Sequence, residues 1–236
     1  MKILHLYPDL MNLYGEYGNV LCIKKHLEDQ GFKVSIKKAP LNSKFKFEDY
    51  DFIYCGSGLE SNLKVALKDL MKHKESLQIA IKMNKFMLFT GNAMELLGEH
   101  IDNEQALDIA PINSNTTSKR FTGDVVVYNK EFKEVVGFIN KSTQIVETKK
   151  DGLFEYVFKD ANLNDNSIVE GYRINNLIGT HIIGPILVKN PSLMRYFVEG
   201  IATQKKKKFV YKEITYPYEE DSYKVTLDAL KQRIKK

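Results

Sequence analysis

The sequence predicts an α/β fold: a doubly wound, mostly parallel sheet flanked by helices, with a β-rich insertion in the middle of the chain. Three observations carry that expectation. Short apolar runs rich in β-branched and aromatic residues alternate with helical patterns over the first hundred residues, and strands spaced by helices pair in parallel. The segment from Phe86 to Gly98 reads as a buried strand that runs through a tight turn into a helix. Strand signals then dominate the middle of the chain before helical patterns return.

Taken in order, residues 2–7 are expected as a strand, 20–30 as a helix, 33–37 and 51–55 as strands, 62–72 as a helix with a shorter helical stretch after it, and 85–90 as a strand. Asn19 is placed to cap the first helix and Gly31 to stop it, as residues of those types do at helix ends. Residues 124–128 and 134–138 read as a hairpin, and 153–158 and 177–182 are candidates to extend it. The most polar stretch, 162–167, is expected as a surface loop. Helices over 191–202, with Pro191 at a first-turn position, and over 223–234 close the chain. No linker or repeat interrupts the pattern, so residues 1–236 are expected as one domain.

Composition excludes several classes of function. The net charge of +5 is modest, and its densest cluster, Lys205 to Lys208, follows an apolar helix where lysines face the negative end of the helix dipole. No aromatics are interleaved with these lysines, so no nucleic-acid partner is expected. No apolar run is long enough to span a membrane and nothing at the start resembles an export signal, which makes the cytoplasm the expected location. Cys22 and Cys55 have no paired spacing and are expected as free thiols. His5, His26, His73 and His100 are dispersed and show no metal-ligand spacing, so no metal or other cofactor is expected.

In a doubly wound sheet, ligands sit where loops gather at the carboxyl ends of the parallel strands. Residues 8–18, 56–61 and the elbow at Gly91 and Asn92 belong there. Many hydrolytic α/β enzymes place a serine or cysteine at such an elbow, where the following helix supplies backbone donors. Here the position holds glycine, which tolerates the positive φ of the turn but brings no attacking atom.

The run from Leu6 to Asn19, LYPDLMNLYGEYGN, resembles the opening signature of the cobyric-acid-synthase-like class I glutamine amidotransferases, and among them the glutaminase subunits of lipid II isoglutaminyl synthases. Gly56-Ser57-Gly58-Leu59-Glu60, Arg120 to Asp124, Val136 to Asn140 and Gly179 to Leu187 are similar to further motifs of that family, so the likeness extends from about residue 3 to residue 200. It implies a flavodoxin-like three-layer fold. In the family a cysteine attacks the side-chain amide of glutamine, a histidine moves the proton, and ammonia leaves for a Mur-ligase-like amide ligase that uses ATP.

Laid over this sequence without gaps, the resemblance puts the nucleophile at Gly91 and the base at Ile183, so both catalytic groups are absent. Arg120 is kept where the family contacts the glutamine carboxylate; the alternative is a surface arginine paired with an acid such as Asp124. Gly56 and Gly58 remain in the loop that provides an oxyanion donor, and Asn92 follows the elbow; these three and Arg120 are the expected substrate-binding residues. Two functions follow: a catalytically degenerate binding or scaffold subunit beside the ligase, with glutamine as a candidate ligand, or an active amidotransferase using Cys55 or a group supplied by the partner. In an extended segment His181 would share a face with Ile183, which makes it a candidate to approach the vacant site; the alternative is a polar edge residue.

Overall fold

The structure is a computed structural model and describes residues 1–147, 152–164 and 167–234. The chain runs β1 (Lys2–Leu6), α1 (Tyr17–Asp29), β2 (Ser35–Ala39), β3 (Phe52–Cys55), α2 (Glu60–Leu70), α3 (Lys74–Lys82) and β4 (Phe86–Thr90). There follow a 3-10 turn over Gly91–Leu97, the short strands β5 (His100–Ile101) and β6 (Glu104–Gln105), and a long ribbon of β7 (Ile112–Asn129) and β8 (Lys133–Glu147). The remainder is β9 (Phe154–Lys159), β10 (Val169–Glu170), β11 (Tyr172–Ile174), β12 (Leu177–Thr180), α4 (Ile186–Lys189), α5 (Pro191–Lys205) and α6 (Pro217–Ile234).

One sheet has the order β11-β12-β4-β3-β1-β2 and is parallel except at β11. The other is the expected β-rich insertion: β10-β9-β7-β5-β6, with β8 on the far side of β7. β3, β4 and β12 are buried at every position, the mark of parallel strands covered on both faces. One apolar layer packs between the first sheet and α2 and α3; another lies between that sheet, α1, α5 and the inner face of the ribbon.

Two local expectations are corrected. Residues 177–180 do not extend the hairpin. They pair in parallel with β4, because a strand buried on both faces is stable only inside the sheet, and among the described residues a backbone bridge between Ile183 and Phe138 ties the chain just beyond them to the ribbon. Asn19 is not a cap either, since α1 begins two residues earlier at Tyr17. Its buried amide donates to the Tyr54 hydroxyl at 2.9 Å and its carbonyl accepts from the Leu187 amide at 2.8 Å, tying α1 to β3 and to the start of α4. Gly31 does end α1, with φ +93°. The polar stretch at 162–167 lies partly outside the described residues, and its beginning forms a 3-10 turn over Ala161–Leu163.

Candidate functional site

β4 carries the chain through the middle of the sheet to Thr90, and Gly91 then turns it with φ +58°. A residue with a Cβ is strained in that left-handed region and glycine is not. A Cβ built on Gly91 would lie 2.6 Å from both Cβ and Oγ of Ser57 and 3.0 Å from Cγ2 of Ile183. The space above the elbow is therefore filled by a hydroxymethyl group and an aliphatic chain. Ile183 is fixed there because its amide donates to the Phe138 carbonyl at 2.9 Å.

Asn92 closes the same space from the side. Its side-chain carbonyl accepts from the Gly58 amide at 3.0 Å and from the Ser57 hydroxyl at 3.3 Å, while its NH2 donates to the Gly58 carbonyl at 2.8 Å. Gly58 has no room for a side chain, since a Cβ would meet Sδ of Met11 at 2.4 Å. The Gly58 amide, expected from the resemblance to face an oxyanion, thus ends on the protein's own carboxamide. The Ser57 hydroxyl offers its proton to an amide oxygen, which is no base.

Beneath the elbow lies Glu16, fully buried. One of its oxygens accepts from the Thr90 hydroxyl, from Tyr54 at 3.1 Å and from the Ser57 amide at 3.2 Å. Burial pushes its carboxyl up to about 7, against the pull of those hydrogen bonds. Thr90 accordingly points down into this network and away from the pocket. Cys55 is also fully buried, and burial together with Glu16 pushes its thiol well above the ordinary range, so it is no ready nucleophile.

His181 does not reach the elbow as an independent group. It lies buried between two carboxylates, Nε2 at 3.2 Å from Glu95 and Nδ1 at 3.7 Å from Glu170. Thr143 donates to the same Glu95 oxygen at 2.6 Å, and the Thr180 hydroxyl and His181 amide both donate to Glu170. Burial and Lys141 pull the imidazolium down, but Glu170 and Glu95 prevail and hold it above its usual value. Glu170 is held below the usual carboxylate range, because its bonds and charge contacts with His181 outweigh burial.

Arg120 stands at the mouth. Its Nε donates to Asn140 at 2.6 Å and one terminal nitrogen to Glu60 at 3.2 Å; Ser142 also donates to Glu60. Asp124, the partner proposed for it as a surface arginine, instead binds Arg233 at 2.9 Å. The cavity bounded by Ser57, Gly58, Asn92, Glu95 and Arg120 has a volume of about 30 Å³. The structure thus gathers Gly56, Gly58, Gly91, Asn92 and Ile183 in one place, with Arg120 at its rim. Sequence reasoning missed Ser57, Glu60, Glu16 and Glu95 as parts of it, although all four lie inside or beside the motifs that carried the resemblance.

The parallel sheet, the elbow after β4 and the chain returning past it after β12 define a class I glutamine amidotransferase fold. The chain belongs to the CobB/CobQ-like glutamine amidotransferase domain family, whose sequence model matches residues 2–191. Subunit GatD of the glutamine-hydrolyzing lipid II isoglutaminyl synthase of Streptococcus pneumoniae is 30% identical, over 94% of this chain and 86% of that protein. The GatD subunit of Staphylococcus aureus is 28% identical over 100% of this chain and 98% of its own. Among solved structures, PurLQS from Thermotoga maritima superposes with a TM-score of 0.54 at 15% identity, covering 84% of this chain and 97% of the other, a likeness of fold.

Proposed function

We propose that this chain is a catalytically degenerate GatD-type subunit: a cytoplasmic binding or scaffold protein paired with a Mur-ligase-like amide ligase in the amidation of cell-wall peptide, without glutaminase activity of its own. The observation that carries this reading is the filled elbow. Where the family's chemistry needs a sulfur and an imidazole, Gly91 and Ile183 stand, and the Ser57 side chain takes the volume a nucleophile would use. Ammonia release from an amide requires an attacking atom, a proton carrier and a free oxyanion donor. The first two are missing, and Asn92 takes the Gly58 donor.

Arg120 supports retention of a binding surface. Its guanidinium is engaged by the Glu60 carboxylate, the same chemical group that glutamine would present, so a ligand would exchange with Glu60 rather than meet a naked cation. The decisive experiment is ammonia release from glutamine by the purified chain, alone and with its ligase partner. No turnover above the uncatalysed rate is expected, and a rate comparable to cysteine-bearing relatives overturns the proposal. Labelling the complex with a glutamine-mimicking alkylator and mapping the adduct tests the active alternative, which requires modification of Cys55 or of a residue in the partner.

A further inference from the structure

On the side of the first sheet away from α2, three metal-binding side chains from distant parts of the sequence converge. Cys22 and His26 lie one turn apart on α1 and so share a face. Glu219, in the first turn of α6, closes over them from nearly 200 residues away. Cys22 Sγ is 3.4 Å from Glu219 Oε1, His26 Nε2 is 3.1 Å from both Glu219 oxygens, and one ligand atom from each residue falls within 4.8 Å of the others. Bond lengths to tetrahedral zinc put neighbouring ligand atoms roughly 3.3–3.6 Å apart. Two of the three separations therefore already stand near the spacing an ion would impose, and the third, between Cys22 and His26, lies within 4.8 Å.

We propose that Cys22, His26 and Glu219 form a zinc site that fastens α6 to α1. A thiolate, an imidazole and a carboxylate are the donor set zinc prefers over calcium or magnesium. His26 is almost fully buried and its ring stacks on Tyr216 at 3.8 Å, which fixes its orientation. Three protein ligands leave a fourth position for water, and a cavity lined in part by His26, Tyr216 and Glu219 adjoins the cluster. In the metal-free state the Cys22 thiol keeps its proton and donates it to Glu219. Zinc replaces that proton, which leaves to solvent, and forms the Zn–S bond; no oxidant or reductant takes part.

The position explains what the ion would do. Residues 206–216, between α5 and α6, contain no helix or strand, and Glu219 lies three residues beyond them, in the first turn of α6. An ion there would hold the connector and the start of α6 against α1, independently of any activity at the elbow. The test uses the full, untagged chain, stripped with a chelator and titrated with zinc chloride. One zinc per chain by elemental analysis is expected, with a rise in Tm of roughly 5–10 °C at about 100 times Kd. Cobalt in place of zinc should give a thiolate charge-transfer band that disappears in Cys22→Ser. Glu219→Gln, which keeps the neutral hydrogen bonds, should weaken binding at least about tenfold while circular dichroism stays unchanged. Absence of stoichiometric zinc, or zinc retained undiminished by both Cys22→Ser and Glu219→Gln, overturns the proposal.

Discussion

Gly91 shows how one side chain sets the chemistry open to a pocket. Placing a cysteine there meets two obstacles: the left-handed φ, which costs a residue with a Cβ roughly 1–3 kcal/mol, and the contact with Ser57. Gly91→Cys is expected to lower stability by about 2–4 kcal/mol in urea unfolding and to release no ammonia, because Ile183 offers no proton acceptor. Combining it with Ser57→Gly and Ile183→His removes both the clash and the missing base. A trace of glutaminase activity is expected from that triple variant, and full activity from Gly91→Cys alone would show the base to be elsewhere. Glu16 offers a second test. Its carboxyl is raised to about 7, so the folded state keeps its proton where the unfolded state has lost it, and stability falls as pH rises from 4.5 to 7. Glu16→Gln should remove roughly 3 kcal/mol of that pH dependence.

Secondary-structure elements were legible where apolar residues announce them. The core strands β1, β3 and β4 and the inner halves of β7 and β8 stand where the sequence puts them, since each carries a buried apolar run or alternation. The outer half of the ribbon was invisible, because residues such as Asn113, Ser114, Asn115 and Thr116 carry no hydrophobic period and are ordered only by pairing with β8. Arg120 lies inside the irregular stretch between Thr116 and Phe121, where the ladder with β8 shifts register. Its ion pair with Glu60 is about half exposed on both sides. Glu60→Gln should accordingly change stability by less than about 1 kcal/mol. Asn19 illustrates the opposite failure, a residue type that suits a cap used instead as a buried strut. Asn19→Ala should cost roughly 2–4 kcal/mol in chemical denaturation, against about 1 for a lost cap.

The two sheets meet through His181. Glu95 comes from the elbow turn, Thr143 from β8, Glu170 from β10, and the imidazole from the chain just beyond β12. No local pattern reports such a cluster, because its members are up to 86 residues apart. Replacing His181 with leucine removes the imidazole that bonds two buried carboxyl groups and is expected to cost about 3–5 kcal/mol by calorimetry or urea titration. The pH dependence has two sides. The stability from Glu170 is present above its ordinary value of 4.5 and is lost as pH falls through its depressed value, whereas that from His181 is complete below 6.5 and is lost as pH rises through its elevated one. For this cluster both contributions are complete between about pH 4.5 and 6.5, a window over which Glu16 alone lowers stability, so a series of unfolding midpoints in Glu16→Gln would isolate it. α6 adds a further bond across the molecule, with Leu227 and Leu230 packed on Val126 and Val136 and Arg233 bound to Asp124 and Asp160.

The carboxamide of Asn92 is chemically the head of a glutamine side chain, and it is already seated against the Gly58 peptide. A tethered occupant competes at an effective concentration that short linkages raise to the millimolar range or beyond. Free glutamine arriving from solution therefore faces a rival that never diffuses away. An external amide reaching the Gly58 peptide would first have to displace the chain's own.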